Sequence, residues 1–338
     1  MFTVIVPSYS RPSSVLEETF QSLAELGNEL TQNCQEILLM DQNWPCLQFS
    51  HLNSIFHVIK VVDGDQDSTL KIQSARNFAT SNNKIPLLHF FSLRPSVTYA
   101  KNVAIGYVQT PHILFLDDDV SVQPGCFFTH RQYHHSHPLL GMLGGREIVV
   151  PIGHGRPPWK EFLVRIAESI FSVPGEEDYK SSGHYIGRIL PNSLFFCDFS
   201  TEVRQLIKVD TVRGCFASVK TSAIKDIGGF DETFQGSALR EETDLCLRLN
   251  EKGLQNYFMG DSFVFHRRQM GGCNNLSKSY HTLLSKIENE IYFQQRHFPQ
   301  VSRFFLLLRL LPLGLEYARS TWGLSFLILF QHLLKKSL

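Results

Sequence analysis

The sequence predicts an α/β fold: an open, mostly parallel sheet flanked by helices. Three observations predict it. Short apolar runs rich in Val, Ile, Leu and Phe recur through the first 120 residues. Each is followed by polar turn residues and then by a segment of helical period. The runs are continuously apolar, the pattern of strands covered on both faces. With 43% apolar residues in 338, the chain can bury a core of one large domain or two small ones.

The runs are Thr3–Val6, Ile37–Met40, Val58–Val62, Leu87–Phe91 and Ile113–Leu116. Between the first two, Val15, Leu16, Thr19, Phe20, Leu23 and Leu26 fall at helical spacing, and Ser14 with Glu17 fits a capping box. This is a βαβ opening, and in such sheets ligands bind beyond the carboxyl ends of the strands. The residues to inspect are therefore Pro7-Ser8-Tyr9, Asp41-Gln42-Asn43 and Asp117-Asp118-Asp119. From about Gly141 the pattern loosens, and 151–201 reads as loops and short helices that shape an acceptor site. Strands return within Lys208–Lys220, and a helix over Glu241–Lys252 closes at Gly253.

The organisation expected is one domain over 1–270, with a Rossmann-like nucleotide-binding half (1–120) and an acceptor half (121–270), then a helical extension over 271–338. In that extension Phe304–Leu315 and Trp322–Leu334 are strongly apolar but interrupted by Arg309, Pro312, Glu316 and Arg319. Neither reaches the roughly 18 to 20 residues that span a bilayer. Two readings compete: helices packed on the domain's own flank, or a peripheral membrane contact through 303–338 ending in Lys335 and Lys336.

Lysine plus arginine total 32 and so do aspartate plus glutamate, so no nucleic-acid partner is expected. The seven cysteines show no CxxC pair, against a zinc ribbon or a disulfide scaffold. With a β-like run at the very start in place of a signal core, the expected location is cytoplasmic, or the cytoplasmic face of a membrane.

The sharpest chemical signal is ILFLDDDV at 113–120, a strand that delivers three aspartates to its end. Clustered carboxylates repel unless protons or a cation offset them. A solvated acidic turn is one reading; a site for Mn2+ or Mg2+, whose remaining positions are filled by substrate phosphates, is the other. VIVPSYSRP at 4–12, ILLMDQN at 37–43, TYAKNVAIG at 98–106 and FLDDDV at 115–120 resemble, in order and spacing, the family 2 glycosyltransferases of GT-A fold. The resemblance covers most of 3–270.

It implies an inverting transferase that moves a hexosyl or deoxyhexosyl group from a nucleoside-diphosphate sugar to a hydroxyl of a polysaccharide, lipid-linked sugar or glycolipid. It also implies that Pro7, Ser8 and Tyr9, with Arg11 nearby, touch the nucleotide and that Asp41 meets the base. The Asp-x-Asp pair maps onto Asp117 and Asp119, with Asp119 a direct metal ligand, Asp117 on the ribose or metal waters, and Asp118 between them. Where the family often shows Ala-Arg-Asn, this chain has Ala100-Lys101-Asn102, so a diphosphate contact there is a point charge and not a bidentate fork.

In ALREETDLCLRL at 238–249, Glu242, Leu245, Cys246 and Leu249 share one helical face and Glu241, Asp244 and Arg248 another. A plain helix explains much of this, with acids in the first turn and an Asp244–Arg248 pair. By the resemblance Glu242 is the general base and Glu241 its neighbour toward acceptor or phosphate, with the two roles exchangeable and Asp244 in reserve. His266 ends an apolar strand before Arg267 and Arg268. It reads either as an ordinary hydrogen-bonded histidine or, as in GT-A enzymes, as the residue that completes the metal shell, with an arginine on the leaving diphosphate. His134, His135 and His137 read as structural. VIVPSYSRPSS contains no glycine, against a nucleotidyltransferase phosphate loop.

Overall fold

A computed structural model of the chain describes residues 1–42, 54–62, 68–91, 94–150, 186–193, 195–196, 199–267, 272, 280–302, 305–306 and 310. The elements are β1 (Phe2–Ser8), α1 (Ser13–Glu25), α2 (Asn28–Asn33), β2 (Cys34–Asp41), β3 (Phe56–Val62), α3 (Ser68–Ser81), β4 (Ile85–Phe91), α4 (Val97–Tyr107), β5 (His112–Leu116), β6 (Val120–Val122), α5 (Cys126–Ser136) and β7 (Leu140–Val149). There follow β8 (Arg188–Ile189), β9 (Phe195–Phe196), β10 (Leu206–Val209), β11 (Phe216–Lys220), α6 (Thr221–Asp226), α7 (Glu241–Glu251), β12 (Gln255–His266) and α8 (Tyr280–His297).

One sheet runs in the order β10-β12-β7-β11-β5-β1-β2-β4-β3, with β6 paired to β12. From β5 to β3 every pairing is parallel. Beyond β5 the sheet is mixed: β11 is antiparallel to β5 and β7, β12 runs parallel to β7, and β10 and β6 are antiparallel to β12.

Alternation along the strands sorts their side chains into two cores. Ile5, Leu38, Met40, Ile113 and Phe115 pack with Ala100 and Ala104 of α4 and Leu245 and Leu249 of α7. Val4, Val6, Ile37, Leu39, Leu114 and Leu116 pack on the other face with Leu16, Phe20 and Leu23 of α1 and Phe127 of α5. The sheet is thus covered on both sides.

Several local expectations are corrected. The Ser14–Glu17 capping box is not formed: α1 begins at Ser13 behind Pro12, with no side-chain cap. Proline supplies a fixed φ in place of a hydrogen-bonded cap. The stretch beyond Gly141 that reads as loosened is β7, Leu140–Val149, whose glycines Gly144 and Gly145 lie where a methyl group would come within 2.7 Å of Val212 and 2.4 Å of Phe216. The face shared by Glu241, Asp244 and Arg248 is buried along with Leu245 and Leu249: Lys101 of α4 meets Glu241, His297 of α8 meets Asp244, and Arg248 donates to the carbonyls of Ile227 and Gly229. Gly253, at φ +81°, does end α7.

Leu306 and Leu310 pack with Leu283, Ile287 and Ile291 of α8, so at these two positions the apolar tail lies on the chain's own flank. Apart from Phe305, the rest of 303–338, including Lys335 and Lys336, lies outside the described residues, as does most of 151–201. Among the described residues, no helix is long and apolar enough to cross a membrane.

Candidate active site

A cavity of about 490 Å³ opens at the carboxyl ends of β1 and β5. Its walls include Pro7, Ser8, Tyr9 and Arg11 after β1, Asp117 and Asp118 after β5, Lys101 of α4, Glu241 and Glu242 at the start of α7, and Glu147 and His266 from β7 and β12. Six sequence segments, spread from Pro7 to His266, meet here because the sheet sets its strand ends side by side and α4 and α7 pack against it.

The three aspartates follow β5, and their partners differ. Asp117 lies near Lys101 of α4 and Glu242 of α7, while the Asp118 main-chain carbonyl accepts from Thr19 Oγ1 of α1 at 2.9 Å. Arg11 holds the other two carboxylates, with Nε to Asp118 Oδ1 and Nη2 to Asp119 Oδ2 both at 2.8 Å. Burial pushes the Asp118 carboxyl up to about 7 against the pull of Arg11. It raises Asp117 too, with Asp119 adding to the effect.

Asp119 is fully buried, and His266 Nε2 lies 3.0 Å from its Oδ1. The other ring nitrogen, Nδ1, lies 2.6 Å from Glu147 Oε1. Burial alone lowers a histidine pKa, but hydrogen bonds to Asp119, Cys215 and Glu147 outweigh it and bring His266 to about 12. One ligand atom each from Asp117, Asp119 and His266 lie within 4.8 Å of one another. Two carboxylates and an imidazole suit a divalent ion such as Mn2+, whose charge would offset the repulsion between the carboxylates.

On the facing wall, the loop before α7 holds Gly236, Ala238 and Arg240 at positive φ of 61°, 46° and 79°, which turns the start of the helix into the cavity. Glu241 accepts from Lys101 Nζ at 2.5 Å, and the ammonium also sits 4.8 Å from the Phe230 ring. Burial lifts the Glu241 carboxyl to about 7, with Lys101 opposing. Among the described residues Glu242 has neither ion pair nor hydrogen bond; it lies over Gly214, where a methyl group would come within 3.5 Å of its Oε1.

The structure does not bring every expected residue to the cavity. Asp41, 2% exposed, faces His89 Nε2 at 3.0 Å, and Gln42 takes its place on the wall. Asn102 is spent on the Gly228–Asp231 turn: its Oδ1 accepts from Phe230 N at 2.8 Å and its Nδ2 donates to Phe230 O at 2.9 Å. Gly229, at φ +76°, admits this contact, since a Cβ there would lie 2.5 Å from Asn102 Oδ1. Asp244 bonds Arg248 and His297, both at 2.8 Å, away from the cavity. Arg267 reaches Glu18 and Ser121 on the α1 side; Arg268 lies outside the described residues.

Glu147 and Cys215 were not singled out in the sequence. An acid inside the apolar run of 140–150 was the one available signal for Glu147. Nothing local marks Cys215.

No family model matches the chain. A pre-mycofactocin glycosyltransferase of Mycobacterium tuberculosis is 24% identical over 211 residues, which are 62% of this chain and 37% of that relative. Over those residues the chain is related in sequence to a glycosyltransferase, and it spans little more than a third of that protein's length. Among solved structures, GalNAc-T7 crystallised with UDP, GalNAc and Mn2+ aligns over 94% of this chain and 54% of its own, at 13% identity and a TM-score of 0.53. The mannosyltransferase PcManGT from Pyrobaculum calidifontis, in complex with GDP-Man and Mn2+, aligns over 100% and 80% at 10% identity and a TM-score of 0.49. The fold is that of the GT-A glycosyltransferases.

Proposed function

We propose that the chain is a metal-dependent, inverting glycosyltransferase of the family 2 type that uses a nucleoside-diphosphate sugar. The observation that carries this reading is a three-ligand set, of which Asp117 and His266 line the cavity and buried Asp119 stands behind it, meeting the carboxylate of Glu242, which lines the same cavity. Bound Mn2+ or Mg2+ would offset the negative charge that develops on the leaving diphosphate.

The chain's own residues do the rest. Arg11 clamps Asp118 and Asp119 so that the ligand set is built before the donor arrives. Pro7, Ser8 and Tyr9 border the nucleotide side, with Asp41 and Asn102 bracing the wall from beneath. Glu242 takes the proton from the acceptor hydroxyl as its oxygen bonds the anomeric carbon and the bond to the diphosphate oxygen breaks. A single displacement of this kind inverts the centre. Glu241, held by Lys101, fixes the first turn of α7 and hence the position of its neighbour. The acceptor is a hydroxyl-bearing saccharide or lipid-linked sugar.

A donor-hydrolysis screen tests the reading: the purified protein is incubated with a panel of nucleotide sugars and Mn2+ or Mg2+, and release of nucleoside diphosphate is followed. Metal-dependent release from one donor, abolished in Asp119→Ala, is expected. Near-normal turnover in folded Asp119→Ala would sink it.

A further inference from the structure

His266 is gripped through both ring nitrogens, and the two grips differ. Nε2 points to Asp119 Oδ1 at 3.0 Å, within the Asp117–Asp119–His266 group. Nδ1 lies 2.6 Å from Glu147 Oε1. A metal-binding imidazole needs a lone pair on one nitrogen and a hydrogen-bond acceptor for the proton on the other.

Glu147 is placed to be that acceptor. In the parallel ladder His266 pairs with Val149, two residues beyond Glu147, so both side chains leave the same face of the sheet. Between Met259–Gly145 and Phe263–Arg146 the register jumps, leaving Gly260 to Ser262 without counterparts in β7. Such bulges re-aim the strand that carries them. Glu147 itself cannot swing: it is 4% exposed, its backbone N–H donates to Phe199 O at 2.9 Å, and Arg213 Nε lies 3.3 Å from its Oε2.

We propose that Glu147 is the positioning residue of the metal centre, accepting the Nδ1 proton of His266 so that Nε2 is offered to the ion shared with Asp117 and Asp119. This rests on the reading of those three residues as the ligand set. Glu147 touches neither ion nor substrate; it fixes the ring's tautomer and angle and raises its basicity toward the metal. A rival arrangement is present on the same ring, because Glu147, Cys215 and His266 also offer ligand atoms within 4.8 Å of one another. That set, with a thiol, would suit a softer ion such as Zn2+.

The test is a titration of the purified protein with Mn2+ alone, reading free Mn2+ by electron paramagnetic resonance, with circular dichroism melts to confirm folding. Glu147→Ala is expected to weaken Mn2+ binding by about 10- to 100-fold, and nucleotide release is expected to recover at saturating Mn2+. Glu147→Gln, whose carbonyl still accepts the proton, falls between it and the parent, and this pair decides the matter should the alanine variant fail to fold. Glu147 variants that bind Mn2+ like the parent, while His266→Ala does not, overturn the proposal alone. Unchanged binding in His266→Ala overturns the ligand set itself. Metal binding lost in Cys215→Ser but kept in Asp119→Ala would place the ion on Nδ1 and also overturn it.

Discussion

The two ends of β5 hold histidines in opposite states. Beyond its carboxyl end, His266 lies between Asp119 and Glu147 and stands at about 12. Toward its amino end, His112, His130 and His134 have no carboxylate acting on them among the described residues: His130 and His134 share Ser218 Oγ at 2.7 and 2.8 Å, His112 stacks on His134 with ring centroids 4.5 Å apart, and the charges near His112 and His134, the N-terminal amine, Lys220 and Arg131, are positive. Burial there pushes His130 down to about 3 and His112 to about 4, and lowers His134 as well. The same burial acts at both ends; carboxylate partners decide whether the ring is charged. One end gathers carboxylates around its ring; the other packs its rings against one another.

The comparison can be broken in several ways. The largest effect is expected from Asp119→Ala, which should cut nucleotide release about a thousand-fold; a mutation at the histidine end, such as His130→Gln, should change release little once the protein is folded. Glu242→Gln should cost about a hundred-fold in transfer while leaving Mn2+ affinity, read by paramagnetic resonance, at the parent value; a loss of Mn2+ binding would place Glu242 in the metal site.

Mn2+ at about a hundred times its dissociation constant should raise unfolding free energy by about 2.7 kcal/mol. Urea melts with and without Mn2+ should show this in the parent and in His130→Gln, and not in Asp119→Ala.

The smallest effect per unit change in conditions is on the pH dependence of stability in EDTA. Histidines whose folded pKa lies below the unfolded value near 6.5 favour the fold at neutral pH and lose that contribution as pH falls toward 4. For buried His130 the slope is up to about 1.4 kcal/mol per pH unit, and His130→Gln should flatten it. Glu241 has the opposite sign: raised from 4.5 to about 7, it favours the fold at low pH and loses this as pH rises through 7. Glu241→Gln should remove that decline.

Legibility followed the range of the interactions. Thr3–Val6, Ile37–Met40 and Ile113–Leu116 all lie within observed strands, since a buried parallel strand is apolar throughout and its helix follows at once. The helix over Glu241–Lys252 and its stop at Gly253 were readable for the same reason. β7 was not, because its glycines, chosen for close approach to Val212 and Phe216, depress any local strand signal.

At the site, Asp117, Asp119 and His266 were legible as residue types at strand ends, and Glu241 and Glu242 as acids at a helix start. The commitments of Asn102 to Phe230, of Asp41 to His89 and of Asp244 to His297 were not, since each partner lies 48 or more residues away in the chain.

By itself, then, the sequence determined the parallel half of the sheet, the placing of three carboxylates at the end of one strand, and the chemistry those groups permit. These are set by neighbours in the chain, through hydrophobic period and turn chemistry. Only the tertiary structure decided which acids face the cavity, which are neutralised by Lys101 or Arg11, and that Glu147 and Cys215 stand behind His266. Those choices depend on charges brought together from distant segments in a low-dielectric interior, where a partner 3 Å away outweighs any local preference.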